Sequence, residues 1–124
     1  MECHKGCLGI HQFVHIGGLA MVGGMTRVDR DVPPYCLVEG HPGRLRGLNR
    51  VGLRRSGIES RDSNESKQLQ EIWTLLFRSN NVLSKAIDLA REQKLMSASA
   101  HLCDFLSASI QKGRRGPMPV MKLN

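Results

Sequence analysis

The stretch that decides the fold runs from Leu8 to Val28 and reads LGIHQFVHIGGLAMVGGMTRV. Its aliphatic residues Ile10, Ile16, Val22 and Val28 recur every six positions. This period matches neither an α-helix, with about 3.6 residues per turn, nor a single strand, in which side chains alternate between faces. A period of six predicts short strands that stack on one another, each directing an aliphatic side chain into a common core.

A second register of small or apolar residues supports this period. Leu8, Val14, Ala20 and Thr26 each lie two positions before one of the four aliphatic residues. Glycines cluster between the repeats, where we expect the chain to turn at backbone dihedrals that side chains disfavour. The pattern predicts the hexapeptide repeats of a parallel β-helix, in which three repeats, or about 18 residues, complete one coil.

The repeat is expected to end at Pro33 and Pro34, because proline has no N–H to donate to a neighbouring coil. Leu8 to Pro34 then holds only about one and a half coils, fewer than a stack of repeats needs for stability. We therefore expect this segment not to be stable by itself. Cys36 to Gly43 predicts a strand followed by a turn.

The remainder of the sequence indicates helices. Residues 44–57 predict a basic loop that leads into a short helix, which Gly57 stops. Three amphipathic helices follow, with apolar residues at the spacing i, i+3, i+4, i+7 in the first two and a looser pattern in the third. The apolar positions of the three helices are Leu69, Ile72, Trp73 and Leu76; Leu83, Ala86, Ile87 and Ala90; and Ala98, Leu102, Phe105 and Leu106. Asn80 and Asn81 are expected to separate the first two helices, and Ser97 to cap the third.

These patterns predict the domain organisation. Residues 1–43 are interpreted as a truncated repeat domain and residues 44–111 as a helical domain. Residues 112–124 contain two arginines and two prolines, and we expect them to form a flexible tail.

Composition narrows the classes of partner. The 124 residues contain 18 Lys and Arg against 11 Asp and Glu, a net charge of +7. This surplus indicates anionic partners such as phosphates, nucleic acids, acidic proteins or acidic lipid surfaces. Aromatic residues make up only 4% of the chain, which argues against a base-stacking platform. No apolar run approaches the roughly 20 residues of a membrane helix, so the sequence predicts a soluble protein.

The cysteines and histidines offer a possible metal site near the N-terminus. Cys3, His4, Cys7, His11 and His15 carry ligating side chains, but only three residues separate Cys7 from His11. Zinc fingers leave room for a hairpin between such pairs, so ordinary positions on a β-helix are favoured. The four cysteines are scattered, which favours a reduced cytoplasmic protein. We expect no metal and no cofactor.

The densest positive charge lies in RLRGLNRVGLRRSG, residues 44–57. Its arginines are Arg44, Arg46, Arg50, Arg54 and Arg55. Three interpretations stay open: a solvated basic face, a phosphate clamp that uses the guanidinium fork, and a nucleic-acid footprint. The neighbouring glycines lack the GK[ST] ending of a phosphate-binding loop.

From Ile10 to Gly57 the sequence resembles the C-terminal half of the bacterial acyl-carrier-protein:UDP-N-acetylglucosamine O-acyltransferases, which begin lipid A synthesis. The segments HQF, MVGG, DVPPY and GLN…GL.RR.G recur in that order and spacing. The resemblance implies a mixed β/α fold: the last coils of a left-handed parallel β-helix, followed by a small α-helical C-terminal domain. It also implies a homotrimer with active sites between neighbouring subunits.

The same resemblance implies chemistry. Members of the family transfer a 3-hydroxyacyl chain from acyl carrier protein to the 3-hydroxyl of UDP-N-acetylglucosamine. A histidine acts as general base and backbone N–H groups stabilise the oxyanion, without a metal, a cofactor or a covalent intermediate. A cytoplasmic enzyme is implied, with neither a transmembrane segment nor a nucleic-acid partner.

Five residues match substrate-binding positions of that family. His11 and Gln12 match the pair that lines the substrate cleft. Gly24 matches the floor of the acyl-chain pocket, where the absence of a side chain permits a longer chain. Asn49 and Arg55 match positions that contact the UDP moiety.

Three departures from the family pattern shape our expectations. Val51 stands where an acidic residue often contacts the nucleotide, and Ser56 stands where a second arginine often does. No residue of this sequence matches the general-base histidine, and we expect the chain on its own to be inactive. The alternative function is a small basic module that binds nucleic acid or phosphate through Arg44 to Arg55.

Overall fold

The short strands form where the repeat predicts them. A computed structural model of the chain describes residues 9–10, 14–58 and 63–122. Its strands are β1 (Gly9–Ile10), β2 (Met21–Val22), β3 (Arg27–Val28), β4 (Cys36–Glu39) and β5 (Arg44–Leu48). Its helices are α1 (Arg50–Ser56), α2 (Ser63–Arg78), α3 (Leu83–Ala90) and α4 (Ser97–Ser109).

Parallel pairing between strands confirms the stacked coils. β1 pairs with β3, placing Gly9 opposite Arg27, 18 residues further along the chain. β2 pairs with β4, and Ile16 pairs with Val32 in the same parallel sense. The repeat residues Val22 and Val28 are fully buried. The period of six therefore corresponds to one short strand on each face of a coil.

The expectation that stacking stops at Pro33 and Pro34 is wrong. β4 follows these prolines and still pairs in parallel with β2. Both prolines lie at a corner between two faces, where no ladder hydrogen bond is required of their nitrogens. The neighbouring Val32 and Tyr35 donate instead, to the carbonyls of His15 and Gly18.

The glycines of the repeat serve close packing, whereas other residues take the left-handed corners. A Cβ at Gly17 would lie 2.4 Å from the nitrogen of Pro34, and one at Gly23 would lie 2.8 Å from Cβ of Glu39. Positive φ values occur instead at Leu19 (58°) and Met25 (61°). Our expectation that glycine supplies the unusual dihedrals of these turns is thus wrong. Glycine is needed at Gly17 and Gly23 because the next coil approaches the backbone so closely.

The basic segment begins as a strand, where we expected a loop. β5 runs antiparallel to β4, with a register irregularity at Leu37 and Val38. This reversal ends the parallel stack. The short helix α1 follows and ends, as predicted, at Gly57, whose φ of 84° is left-handed.

The three predicted amphipathic helices are present and bury their apolar faces. Leu69, Ile72, Leu102 and Leu106 are among their core residues, each at most 1% exposed. Asn80 separates α2 from α3 with a φ of 66°. Ser97 does not cap α4, however, because it is the first residue of the helix.

Side chains of α2 accept hydrogen bonds from backbone N–H groups at the start of α4. Gln68 accepts a hydrogen bond from the backbone N–H of Met96 at 2.8 Å. Glu65 accepts one from the N–H of Ala98 at 3.4 Å. These contacts from a neighbouring helix replace the local cap that the sequence predicts.

Residues 114–121 of the predicted tail are packed, contrary to the expectation of flexibility. Asp31 pairs with Pro117 and Leu45 pairs with Val120, both in parallel. Met118 is only 3% exposed. Residues 114–121 form a strap, the name we use for this segment, because it lies against both the coils and β5.

One apolar cluster joins the coils, the helices and the strap. It includes Val28 and Val38 from the coils, Trp73 from α2 and Met118 from the strap. The core therefore crosses the domain boundary that we predicted at residues 43 and 44, and that boundary stays a proposal. Within residues 9–10, 14–58 and 63–122, no helix is long and apolar enough to cross a membrane.

Candidate functional site

Two of the predicted substrate-binding residues line one pocket. The pocket has a volume of about 250 Å³ and lies between the coils and α1. Its lining consists of Leu19, Met21, Asn49, Val51, Gly52, Arg55 and Ser56. The structure thus brings Asn49 and Arg55 together, along with the two positions at which the sequence departs from the family pattern.

Asn49 joins the two walls of this pocket. Its side-chain Nδ2 donates to the carbonyl oxygen of Leu19 at 2.8 Å. Its Oδ1 accepts from the backbone N–H of Gly52 at 3.0 Å and so caps α1. Its own backbone N–H donates to the carbonyl of Tyr35. Asn49 is only 2% exposed, because all these partners surround it.

Gly52 leaves the space that this amide occupies. A Cβ at Gly52 would lie 2.3 Å from Nδ2 of Asn49 and 2.9 Å from its Cγ. A real Cβ does not approach another heavy atom so closely, so either the amide or α1 would have to move. The glycine of GLNRVGL is therefore a requirement of the Asn49 contacts.

Arg55 supplies the positive charge of the pocket. Among the described residues that line it, Arg55 is the charged one, and its side chain is exposed. A guanidinium offers five N–H donors in a planar fork that matches phosphate oxygens. The pocket can therefore attract and orient a phosphate-bearing ligand.

Val51 and Ser56 give the pocket a different chemistry from the family pattern. Val51 contributes an apolar surface and is 45% exposed. The Ser56 hydroxyl donates to the carbonyl of Leu53 at 2.8 Å, which ties it to the end of α1. Neither side chain supplies a charge, so Arg55 carries the electrostatic attraction on this wall of the pocket.

The other predicted binding residues do not join this cluster. His11 and Gln12 lie outside the described residues. Gly24 is exposed at a turn, where its carbonyl accepts a 3.5 Å hydrogen bond from the Thr26 hydroxyl. It does not line the pocket of Asn49 and Arg55.

The five arginines of the basic stretch divide between two elements. Arg44 and Arg46 lie on β5, where Arg44 donates to the carbonyl of Gly43 and Arg46 pairs with Glu39 at 2.9 Å. On α1, Arg50 donates to Gln70, and Arg54 and Arg55 lie in the last turn of the same helix. In the part of the chain that the structure describes, Arg46 therefore faces a carboxylate, whereas Arg44 and Arg50 donate to neutral oxygens and keep their positive charge.

A second pocket of about 260 Å³ contains none of the predicted substrate-binding residues. Its lining is Arg27, Asp29, His41, Pro42, Gly43, Arg44 and Met118. In the part of the chain that the structure describes, no group of three or more His, Cys, Asp or Glu side chains could hold a metal ion. Cys3, His4, Cys7 and His11 are outside that part, so the expected absence of metal there stays a prediction.

Sequence patterns do not reveal two residues of the site, Leu19 and Met21. Both come from the repeat, whose pattern predicts strands and turns but assigns these two positions no binding role. Leu19 accepts a hydrogen bond from Asn49, 30 residues further along the chain, and Met21 lines the same pocket. The length of one coil could have predicted this proximity, because stacking of the coils places the corner at Leu19 near the segment that follows the last coil.

The fold has counterparts among known proteins. The family model described as UDP N-acetylglucosamine O-acyltransferase, domain 2, matches residues 31–118. The acyl-[acyl-carrier-protein]–UDP-N-acetylglucosamine O-acyltransferase of Gloeothece citriformis is 48% identical over 116 residues, 93% of this chain and 41% of the relative. The enzyme of the same name from Synechocystis is 46% identical and covers 95% of this chain and 42% of its own length.

A solved structure agrees in fold. The Arabidopsis UDP-N-acetylglucosamine acyltransferase superposes with a TM-score of 0.77 at 34% identity, covering 88% of this chain and 39% of that protein. The chain therefore spans about two fifths of the length of the proteins that it matches.

Stacked parallel coils followed by a C-terminal group of helices define the class of β-helix proteins with a helical C-terminal part. The length and position of the family match then identify the particular group. The chain belongs to the UDP-N-acetylglucosamine O-acyltransferase family.

Proposed function

We propose that this chain forms the UDP-binding part of an enzyme that transfers a 3-hydroxyacyl chain from acyl carrier protein to the 3-hydroxyl of UDP-N-acetylglucosamine. This reaction would be the first step of lipid A biosynthesis. Family membership supports the reaction class, and the names of the relatives supply the donor and the acceptor. The structural observation that carries the proposal is the pocket in which Asn49 and Arg55 meet Leu19 and Met21.

The pocket suits one end of such an acceptor. Arg55 provides a fork of donors for the diphosphate. Leu19, Met21 and Val51 provide apolar surface against which a flat base can pack. A nucleoside diphosphate combines these two requirements, a charged group and an apolar face, in a single ligand.

The remaining predicted site residues extend the proposal toward the acyl chain. Gly24 would form the floor of the acyl pocket, and His11 and Gln12 would line the cleft between the two ends of the substrate. Gly24 is exposed within the single chain. A homotrimer, in which a neighbouring subunit covers this surface, is therefore part of the proposal, as is a cytoplasmic location. That the chain alone does not turn over substrate stays a prediction, which an acyl-transfer assay checks.

The nucleic-acid alternative receives less support. It requires Arg44 to Arg55 to act as one surface, but these arginines divide between β5 and α1, and the Glu39 carboxylate offsets the charge of Arg46. It also does not account for the pocket.

Calorimetric titration with UDP and with UDP-N-acetylglucosamine tests the proposal. We expect Arg55→Ala to weaken UDP binding at least about tenfold, because a charge-assisted contact contributes roughly 1.5 to 3 kcal/mol. Arg54→Ala is the matched control, since Arg54 is exposed on the same helix but does not line the pocket. Equal affinities for the two variants, or an affinity for RNA that exceeds that for UDP, would overturn the proposal.

A further inference from the structure

We infer that Glu39 and Arg46 determine specificity for the acyl chain: their ion pair ends an apolar shelf on the coils and limits the length of hydrocarbon that fits there. The shelf, as we use the term, consists of Met21, Gly23, Gly24, Met25 and Leu37. The inference rests on the proposed function, because it concerns the acyl chain of the same substrate. Resemblance to the family places Gly24 in the acyl pocket but gives neither member of the ion pair a role there.

Two neighbouring strands direct apolar side chains away from the core. Cys36 and Val38 of β4 are fully buried, so Leu37 between them points outward. Met21 of β2 pairs with Leu37 and precedes the fully buried Val22, so it lies on the same outer face. Apolar residues therefore occupy outward positions on both strands, where a ligand can contact them.

Met25 adds a second exposed apolar side chain at the neighbouring corner. It is 63% exposed, and its φ of 61° lies in a region that residues with a side chain seldom adopt. Gly23 and Gly24 lie between Met21 and Met25 in the chain, so two long apolar side chains flank a step that has none. Such a step leaves open backbone against which a hydrocarbon chain can lie.

The Glu39 side chain closes this step above Gly23. A Cβ added at Gly23 would lie 2.8 Å from Cβ of Glu39 and 3.6 Å from its Oε2. The other carboxylate oxygen, Oε1, pairs with Nε of Arg46 at 2.9 Å. The open step of the shelf therefore ends at an ion pair.

A β-bulge in β5 turns Arg46 toward that carboxylate. Leu37 pairs with Gly47 and Val38 pairs with Leu45, so Arg46 is the extra residue of the register irregularity. Bulges commonly redirect a side chain in this way. The register of the hairpin thus places the ion pair at the end of the shelf.

The acyl chain of the proposed substrate is the occupant that fits the shelf, because Met21 also lines the nucleotide pocket. A ligand that carries both UDP and an acyl chain can fill the two sites together. Each methylene buried on the shelf tightens binding about fourfold. Contact with the ion pair instead removes water from two side chains that are 40% and 45% exposed. The gain in affinity should therefore stop where the hydrocarbon reaches Glu39 and Arg46.

The test measures the affinity of the full chain for UDP and for UDP-3-O-(3-hydroxyacyl)-N-acetylglucosamine. The acyl chain lengthens by two carbons at a time, from about ten to about sixteen, and we expect affinity to rise and then level off. In the variant with Glu39→Leu and Arg46→Leu, the longest chain should bind at least about tenfold tighter than it binds the unsubstituted protein, because further methylenes are buried. The variant should fold, since an exposed ion pair contributes little to stability.

A matched control replaces another exposed ion pair. Arg91, which follows α3, pairs with Asp104 of α4 at 2.8 Å. Arg91→Leu with Asp104→Leu adds the same apolar groups and should leave the dependence on chain length unchanged. If the first variant does not fold, Glu39→Gln with Arg46→Met replaces it, because it removes both charges with little change in size. The longest chain should again bind more tightly than it binds the unsubstituted protein.

The outcomes separate this inference from the proposed function. Levelling off at the same length with and without the ion pair would overturn the inference, as would an equal gain in the control variant. UDP binding without any gain from an acyl chain would overturn the inference alone. Failure of the unsubstituted chain to bind UDP would overturn the proposed function and this inference with it.

Discussion

Asp31 is the residue at which the coils, α4 and the strap meet. Its Oδ1 accepts from the backbone N–H of His15 at 2.7 Å. Its Oδ2 accepts from the Ser109 hydroxyl at 2.6 Å and from Arg114 at 2.5 Å. Asp31 is 3% exposed, so these partners replace the water that a carboxylate requires.

We expect Asp31→Asn to destabilise the fold by about 2 kcal/mol. The substitution keeps the shape but removes the charge, and it directs an amide N–H at donors that need an acceptor. Asp29→Asn is the matched control, because Asp29 is exposed, and its cost should stay within about 0.5 kcal/mol. Urea unfolding of both variants measures the difference. Equal midpoints would contradict this role of Asp31.

Cys36 is expected to make the free energy of unfolding decrease at high pH. Burial raises the pKa of its thiol to about 12 from 9.0, and the Trp73 side chain acts in the opposite direction. In the unfolded chain the thiol ionises first. The unfolded state then holds fewer protons, and stability falls as the pH rises from about 9 toward about 12.

We expect this loss to approach about 1.4 kcal/mol per pH unit within that window, beyond the loss that other groups cause. Unfolding measured between pH 8.5 and 10.5 should therefore show a steeper decline for the unsubstituted chain than for Cys36→Ala. Burial also raises the pKa of Cys103, which is unchanged in both proteins. Parallel slopes would contradict the assignment.

At the scale of single residues, the sequence predicts which side chains are buried, but it does not predict which distant residues they contact. Val22 and Val28 are recognisable as core residues because their period matches the coil. The partners of Asp31 are not recognisable, since Ser109 and Arg114 follow it by 78 and 83 residues. No local pattern records such a contact.

At the scale of elements, the strap is the feature that departs most from the sequence pattern. Leu45 donates its backbone N–H to Pro119 and accepts from Met121, so the strap adds an edge to β5. Arg78 at the end of α2 donates to the carbonyl of Met121 at 2.6 Å. Its prolines and arginines are typical of a flexible tail, and only the unpaired edge of β5 makes the segment a strand partner.

Met118 is the apolar anchor of the strap. A Cβ added at Gly43 would lie 3.1 Å from the Met118 Cε and 2.9 Å from Cγ2 of Thr26, so the strap packs closely on this glycine. We expect Met118→Ala to cost about 2 to 4 kcal/mol, as for other buried methionines. Val82→Ala serves as the control, because Val82 is 73% exposed. Similar melting temperatures for the two variants would indicate a strap that does not pack.

The helices were more predictable than the ends of the coil stack. Amphipathic spacing depends on neighbours three and four residues away, so the positions of α2, α3 and α4 follow from local sequence. The corner at Pro33 and Pro34 depends on the coil below, where Gly17 lies under Pro34. Sequence rules for proline describe the strand interior and therefore gave the wrong end for the stack.

At the scale of the whole molecule, the pocket exists because two architectures meet. The coils contribute Leu19 and Met21, whereas the segment after β5 contributes Asn49 and Arg55. Resemblance to the family predicted the second pair. The first pair follows only when the coils are stacked, since the corner at Leu19 must reach the cap of α1. For a pocket that forms between two elements, the sequence therefore predicted the residues of one element but not those of the other.

A crystal structure of this chain with UDP is the decisive test of the proposed pocket. We predict that the diphosphate binds the Arg55 guanidinium and that the base lies against Leu19 and Met21. UDP bound away from this pocket, or bound there without Arg55, would contradict the proposal.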